Sequence, residues 1–282
     1  SGNNPPQTLY MGFGTSPWDS SAGLTVTPTN ITFKNNKVWH AGNDGHGSGL
    51  DADTLDGKHL SEISGGGINH NGTKIFSSSG TWTKNSGTTK ILVRVWGGGG
   101  GGGGVNADTT NMVYSFISGS NGGTSSFGNY VYAYGGKTPS QLFNQRSPAT
   151  GEGFVCSLGG DASGGDKNLS GRPGKYFTLP VALSKITLVE QPGTPSVPIF
   201  YQNKEIGQGG LGGGTKPTNN VIAVLSFNYG GCGGGGGYAE KWLDVSSISS
   251  VPVTVGAGGS GGGGSHPGYN GQQGLVIVEE FK

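Results

Sequence analysis

The sequence predicts an all-β protein in two parts: a strand-bearing first segment, then a small β-sandwich or partial barrel that carries a bundle of polyglycine-II helices. Three observations point there. Glycine and proline account for 61 and 14 of the 282 residues, a range in which a specialised glycine architecture replaces an ordinary interior. Apolar residues are 31% of the chain, too few for a close-packed core of Leu and Ile throughout. Those present fall into short runs bounded by Ser, Asn, Pro and Gly, which is the pattern of strands.

Residues 1–64 are rich in Thr, Asn and Asp, with apolar alternation in Leu24-Thr25-Val26-Thr27 and Ile31-Thr32-Phe33. Period-two alternation predicts short, half-buried strands. Gly65-Gly66-Gly67 is a flexible joint, and a domain boundary is expected there, separating 1–64 from 65–282.

In the second part Thr73–Lys84 reads as one strand, Ser86-Gly87 as a turn and Lys90–Trp96 as a second strand. Tyr238–Val245, Val251–Val255 and Leu275–Phe281 give three more candidates near the other end. An isolated hairpin is only marginally stable, so strands from the two ends are expected to pair.

Between them lie glycine tracts at 97–104, 209–214, 230–237 and 256–264, with weaker ones at 119–123 and 159–165. Polyglycine has no side chain to bury and a high cost of ordering. It can order as polyproline-II-like helices, which have three residues per turn, rise about 3.1 Å per residue and form no internal hydrogen bonds. Their backbone groups must then bond to neighbouring helices, and only glycine permits that approach. Flexible linkers are the competing reading of glycine runs, but one linker does not alternate six tracts with aromatic inserts. No strict Gly-X-Y period is present, which excludes collagen.

The inserts carry Tyr114 and Phe116, then Tyr130, Tyr132, Tyr134 and Phe143, then Tyr176, Phe177, Phe200 and Tyr201. Aromatic rings amid Ser, Asn and Gly resemble an antibody paratope in composition, with rigid contact area and adaptable hydrogen bonding. These ten are the candidate binding residues. Each of them can alternatively serve as a cap on the glycine bundle.

The chemistry of catalysis is sparse. Asp161 and Asp166 are the nearest thing to a paired carboxylate, and no GxSxG, HExxH, CxxC or phosphate-loop pattern occurs. With 17 basic and 16 acidic residues there is no electrostatic footprint for nucleic acid or anionic membrane. No apolar run approaches the roughly 18 to 20 residues that span a bilayer, and no secretory leader pattern opens the sequence. Cys156 and Cys232 read as two free or buried thiols. Asp51–Gly57 departs from the EF-hand spacing and reads as Asx-type turns. His40, His46, His59 and His70 lack tight ligand spacing. No catalytic group, cofactor or metal is expected.

Residues 39–57, with the string HAGND…GSGLDADTLDG, resemble the long tail fibres of tailed phages and tailocins. The second part is similar to glycine-rich fibre tips, through SSGTWT…ILVRVWGGGGGGGG and through GGGGGYAEKWLDVSS…VTVGAGGSGGGG…GLVIVEEF. The resemblance implies a homotrimeric fibre segment at 1–64 and a receptor-binding tip at 65–282. It implies a place at the distal end of a virion's tail fibre, outside the cell after assembly in the host cytoplasm. The implied partner is a bacterial outer-surface receptor, either an outer-membrane protein or a lipopolysaccharide or capsule glycan, with no nucleic acid and no membrane insertion. A polysaccharide depolymerase of tail-spike type and a purely structural glycine spacer are the rival readings.

Overall fold

A computed structural model describes residues 9–12, 23–26, 31–34, 36–37, 54–55, 58–59, 69–108, 113–145, 153–182, 185–215 and 227–282. Contacts divide the chain into two compact units, Ser1–Gly67 and Ile68–Lys282. The described residues form strands, turns and extended segments without a helix. Every named strand pairing is antiparallel, and no sheet closes into a barrel.

In the first unit Leu9–Gly12, Gly23–Val26, Ile31–Phe33 and Asn36–Lys37 form a four-stranded sheet in chain order. Two of its strands fall where the alternation predicts them. Thr54–Leu55 pairs with Lys58–His59. His40, His46 and most of the HAGND…DTLDG string lie outside the described residues.

The base of the second unit is a sandwich of two five-stranded sheets. The first runs, in spatial order, Lys167–Leu169, Tyr238–Asp244, Lys90–Trp96, Leu275–Phe281 and His70–Phe76. The second runs Ala162–Ser163, Val131–Ala133, Ser125–Phe127, Ser250–Thr254 and Gly80–Thr83. Strands from both ends of the unit therefore pair, as expected. Trp82, Phe127, Val131, Val251 and Val253 of one sheet meet Ile91, Val93, Val95, Val276 and Val278 of the other in a shared core. One expectation is corrected here. Thr73–Lys84 is not a single strand: it breaks at Ser77–Ser79 and crosses between sheets. Phe76 packs on the core from one sheet and Trp82 enters it from the other, which one continuous strand cannot achieve.

Above the sandwich the glycine tracts form the predicted bundle, and its hydrogen bonds reveal the helix. The N–H groups of Gly97, Gly100 and Gly103 donate to Gly237, Gly234 and Gly231. Those of Gly98 and Gly101 donate to Gly123 and Ser120, and those of Gly99 and Gly102 to Gln272 and Tyr269, all at 2.8–3.0 Å. The partner segment recurs every third residue, as a three-residue turn requires. The carbonyls of Gly98, Gly99 and Gly100 accept from Gly136, Gly259 and Gly210. Segment 97–104 thus has six neighbours, with none of its own turns bonded to one another.

Segment 230–237 is a second centre. It donates to 207–213, 134–137 and 172, accepts from 193 and 160, and bonds to 97–103. The two centres share 134–137 and 207–213, as adjacent sites of a hexagonal lattice must. Eight outer segments close a ring around them through bonds such as Gly122 to Gly136, Gly123 to Ala257, Gly274 to Gly256 and Gly209 to Gly193. The ring and the two centres make ten segments.

Neighbours on every side are what make the bundle stable. Fixing a residue's backbone costs about 1–2 kcal/mol, and a hydrogen bond returns a net of about 0.5–1.5 kcal/mol. A lone polyglycine-II helix therefore does not hold, whereas one bonded through both donors and acceptors does. Close approach makes glycine obligatory at the centre. A Cβ on Gly101 would lie 2.0 Å from the Ser260 carbonyl oxygen, and one on Gly233 2.0 Å from that of Gly100.

Burial follows lattice position. Every residue of 97–104 and 230–237 is buried. In the shared segments two of three positions are buried, leaving Tyr134 and Lys137, or Gln208 and Leu211, facing outward. In the outer segment 256–262 one in three is fully buried (Gly256, Gly259 and Gly262), while Ala257 and Ser260 are exposed. The ten segments alternate in direction along the chain, so connections emerge by turns at the sandwich and at the far end.

Candidate functional site

Five connections emerge at the far end: 105–118, 138–157, 174–191, 214–229 and 263–267. In the first, Gly104–Asp108 pairs with Val113–Ile117 as a hairpin. Phe143–Gln145, Phe227–Tyr229 and Gly214–Thr215 form a second small sheet, and Gly153–Ser157, Gly174–Ala182 and Lys185–Gln191 a third. The intervals 109–112, 146–152, 183–184 and 216–226 join strands at this end and lie outside the described residues. The chain enters the unit at the opposite end, where the Lys282 N–H donates to the Asn69 carbonyl at 2.9 Å.

The two larger sheets are held to the bundle by one cluster. Tyr176 stacks on Phe154 at 5.0 Å and meets Phe143 and Tyr229 edge-on at 5.6 and 5.5 Å. Cys156 and Cys232, both free and buried, complete it, in agreement with the expectation of two unpaired, buried thiols. Cys232 is the only non-glycine in 230–237, at the last turn before the tip. Burial pushes the Cys156 thiol up to about 12 and the Cys232 thiol to about 11. Burial likewise raises Tyr176 to about 12, with the nearby Cys156 adding to it, and raises Tyr229 further. The cluster is uncharged at neutral pH and its thiols are poor nucleophiles.

Around this cap lies the accessible surface. Tyr114 and Phe116 are half-buried on the first hairpin, and Val113 beside them is 58% exposed. Phe116 also lies against the bundle, its ring filling the space a Cβ on Gly103 would occupy. On one shoulder a cleft of about 430 Å³ is lined by Asn121, Lys137, Pro139, Val155 and Leu158. Leu158 is 66% exposed and Val155 49%. Asn121 is held by accepting from the Thr138 N–H at 3.0 Å.

The ten candidate aromatics divide between the two ends. Tyr114, Phe116, Phe143, Tyr176 and Phe177 belong to far-end connections, although Tyr176 is buried as a structural anchor and the side chain of Phe177 lies outside the described residues. Tyr130, Tyr132, Tyr134, Phe200 and Tyr201 lie at the sandwich end. Tyr130 packs on the sandwich core. Tyr132 stacks with Tyr134 at 6.4 Å, and the Tyr134 hydroxyl meets Ser163 at 3.2 Å. Tyr201 packs against a cluster around Trp96, while Phe200 is 70% exposed on a hairpin with Lys204–Glu205. The structure therefore does not gather the ten into one surface. Sequence reasoning missed Val155, Leu158 and Lys137, whose only signal is their place beside bundle glycines.

The acidic pair stays apart from the tip. Asp161 accepts from Ser170 at 2.8 Å, and Asp166 accepts from the Trp242 N–H at 2.8 Å. Of the four histidines noted in the sequence, His70 is described with its side chain, its ring nitrogen 3.0 Å from the Thr73 hydroxyl. Comparison with protein families, curated proteins and solved structures yields no match.

Proposed function

We propose that the chain is the receptor-binding end of a tail fibre of the tailed-phage or tailocin kind, an adhesin and not an enzyme. Its partner would be a receptor on the bacterial outer surface, an outer-membrane protein or a lipopolysaccharide or capsule glycan. The first unit would supply a homotrimeric shaft at the distal end of the virion's tail fibre. The observation that carries this reading is polarity: the chain enters at one end of a fully hydrogen-bonded bundle, and its longest connections leave at the other. Loops on a rigid support are where recognition usually resides, and a support bonded in three directions keeps loop ordering from weakening affinity. Three weak sites on one fibre would add through effective concentration.

On this reading the contact residues are those of the far end, Tyr114, Phe116 and Phe143, with the shoulder cleft beside Leu158. The test is binding of fluorescently labelled full chain to a panel of bacterial strains. Tyr114→Ala with Phe116→Ala is expected to abolish cell binding, and Tyr132→Ala with Tyr134→Ala to leave it unchanged. Loss in the second pair alone, or in neither, overturns the assignment.

A further inference from the structure

The outer face of the first sandwich sheet is covered over only half its length. Near the bundle Trp96, Tyr238 and Leu275 lie beneath Val197, Ile199 and Ile206. Nothing among the described residues covers the other half, yet its outward positions are not the polar ones that an open sheet face carries. Trp242 is 45% exposed and Ile75 50%. Trp242 packs against Phe281 at 5.3 Å, Phe281 meets His70 at 5.7 Å, and Leu92, between Trp242 and Phe281 in the register, is only 7% exposed. The charges in the same face are spent on one another: Arg94 reaches Glu240 at 3.2 Å and Glu279 at 2.8 Å. What remains uncompensated is apolar and aromatic, the composition of a protein interface.

We infer that this face packs against a second copy of the chain in the assembled fibre, an inference that rests on the trimeric reading above. The occupant follows from position. Residues 1–68 reach this unit at Asn69, which bonds to Lys282 next to Phe281. A trimeric shaft ending there delivers three copies of the face to one place. A host receptor met at the far end of the bundle does not reach it. Closed symmetry would also shelter the edge strand His70–Phe76.

The experiment uses the full chain carrying Ile75→Cys, with Thr81→Cys on the outer side of the other sheet as the exposed reference. A bulky maleimide reads the introduced thiol alone, because Cys156 and Cys232 are buried. Light scattering is expected to give a trimer, and position 75 to label about tenfold more slowly than position 81, as for a face open in only a tenth of molecules. Adding Trp242→Lys is expected to restore fast labelling. A trimer in which position 75 labels as fast as position 81 overturns the interface and leaves the trimeric shaft standing. A monomer with fast labelling overturns both. A monomer with protected position 75 replaces the second copy by the chain's own first unit. Cell binding by the far-end aromatics is unaffected by any of these outcomes and is scored separately.

Discussion

The Cys232 sulfur lies 2.8 Å from the Tyr229 hydroxyl, where the second central helix of the bundle meets its cap. A side chain is tolerated there because the lattice ends: beyond this turn the neighbours are the rings of Tyr229 and Tyr176 and the side chain of Cys156, not backbone.

That setting predicts alkaline sensitivity. Burial raises the Cys156 and Cys232 thiols from 9.0 to about 12 and about 11. Above pH 9 the unfolded chain sheds these protons and the folded chain does not, so folded-state stability falls as pH rises from 9 towards 11. Thermal unfolding followed from pH 8 to pH 11 is expected to show this loss, with a smaller slope in Cys156→Ala with Cys232→Ala. Iodoacetamide at pH 8 is expected to modify neither thiol until denaturant is added.

The lattice predicts a sharp contrast between two glycines. At Gly101 a methyl group would collide with the Ser260 carbonyl at 2.0 Å, and backbone cannot move aside. At Gly263 nothing lies within 4 Å. Gly101→Ala is expected to cost more than about 4 kcal/mol, and Gly263→Ala to stay within about 0.5 kcal/mol of the parent. Urea denaturation followed by tyrosine and tryptophan fluorescence checks both.

Glu280 is the sandwich's buried charge. It is fully buried, yet its carboxylate accepts from Trp82 Nε1 at 3.0 Å, the Asn85 N–H at 2.8 Å and Thr88 at 2.7 Å, and pairs with Lys74 at 3.0 Å. Burial alone would raise its pKa, but the bonds from Thr88, Asn85, Lys74 and Trp82 together hold it below the usual 4.5. A depressed carboxylate stabilises the fold above its unfolded value and loses that contribution as pH falls through the folded one. Glu280→Ala is expected to cost about 3 kcal/mol at pH 7, since it orphans buried donors. The gap between parent and Glu280→Gln is expected to narrow as pH drops below 4.5, read from unfolding at pH 7, 5 and 3.

Much of the fold is legible in the sequence because glycine at a lattice centre is non-negotiable: 97–104 and 230–237 are unbroken but for Cys232. The outer helices are harder to see, since only inward positions need glycine. Segment 134–137 keeps Gly135 and Gly136 inside and lets Tyr134 and Lys137 face out. Segment 268–274 shows only Gly268, Gly271 and Gly274 in period three, a spacing that would have found it. The break within Thr73–Lys84 was hidden because Ser77-Ser78-Ser79 suits a strand as well as a crossover. The ten aromatics looked like one set because sequence order does not record direction. Successive bundle segments run oppositely, so Phe116 and Tyr132, 16 positions apart, emerge at different ends.

The account stands on the rigidity of the bundle centre, and amide hydrogen exchange resolved by residue tests that most directly. The N–H groups of Gly100, Gly101, Gly233 and Gly234, each bonded to a neighbouring segment at 2.9 Å, are expected to exchange only through global opening, as slowly as those of Val93 and Val278 in the sandwich. Exchange of these glycines at the rate of an unstructured peptide, with the sandwich still protected, would contradict the account.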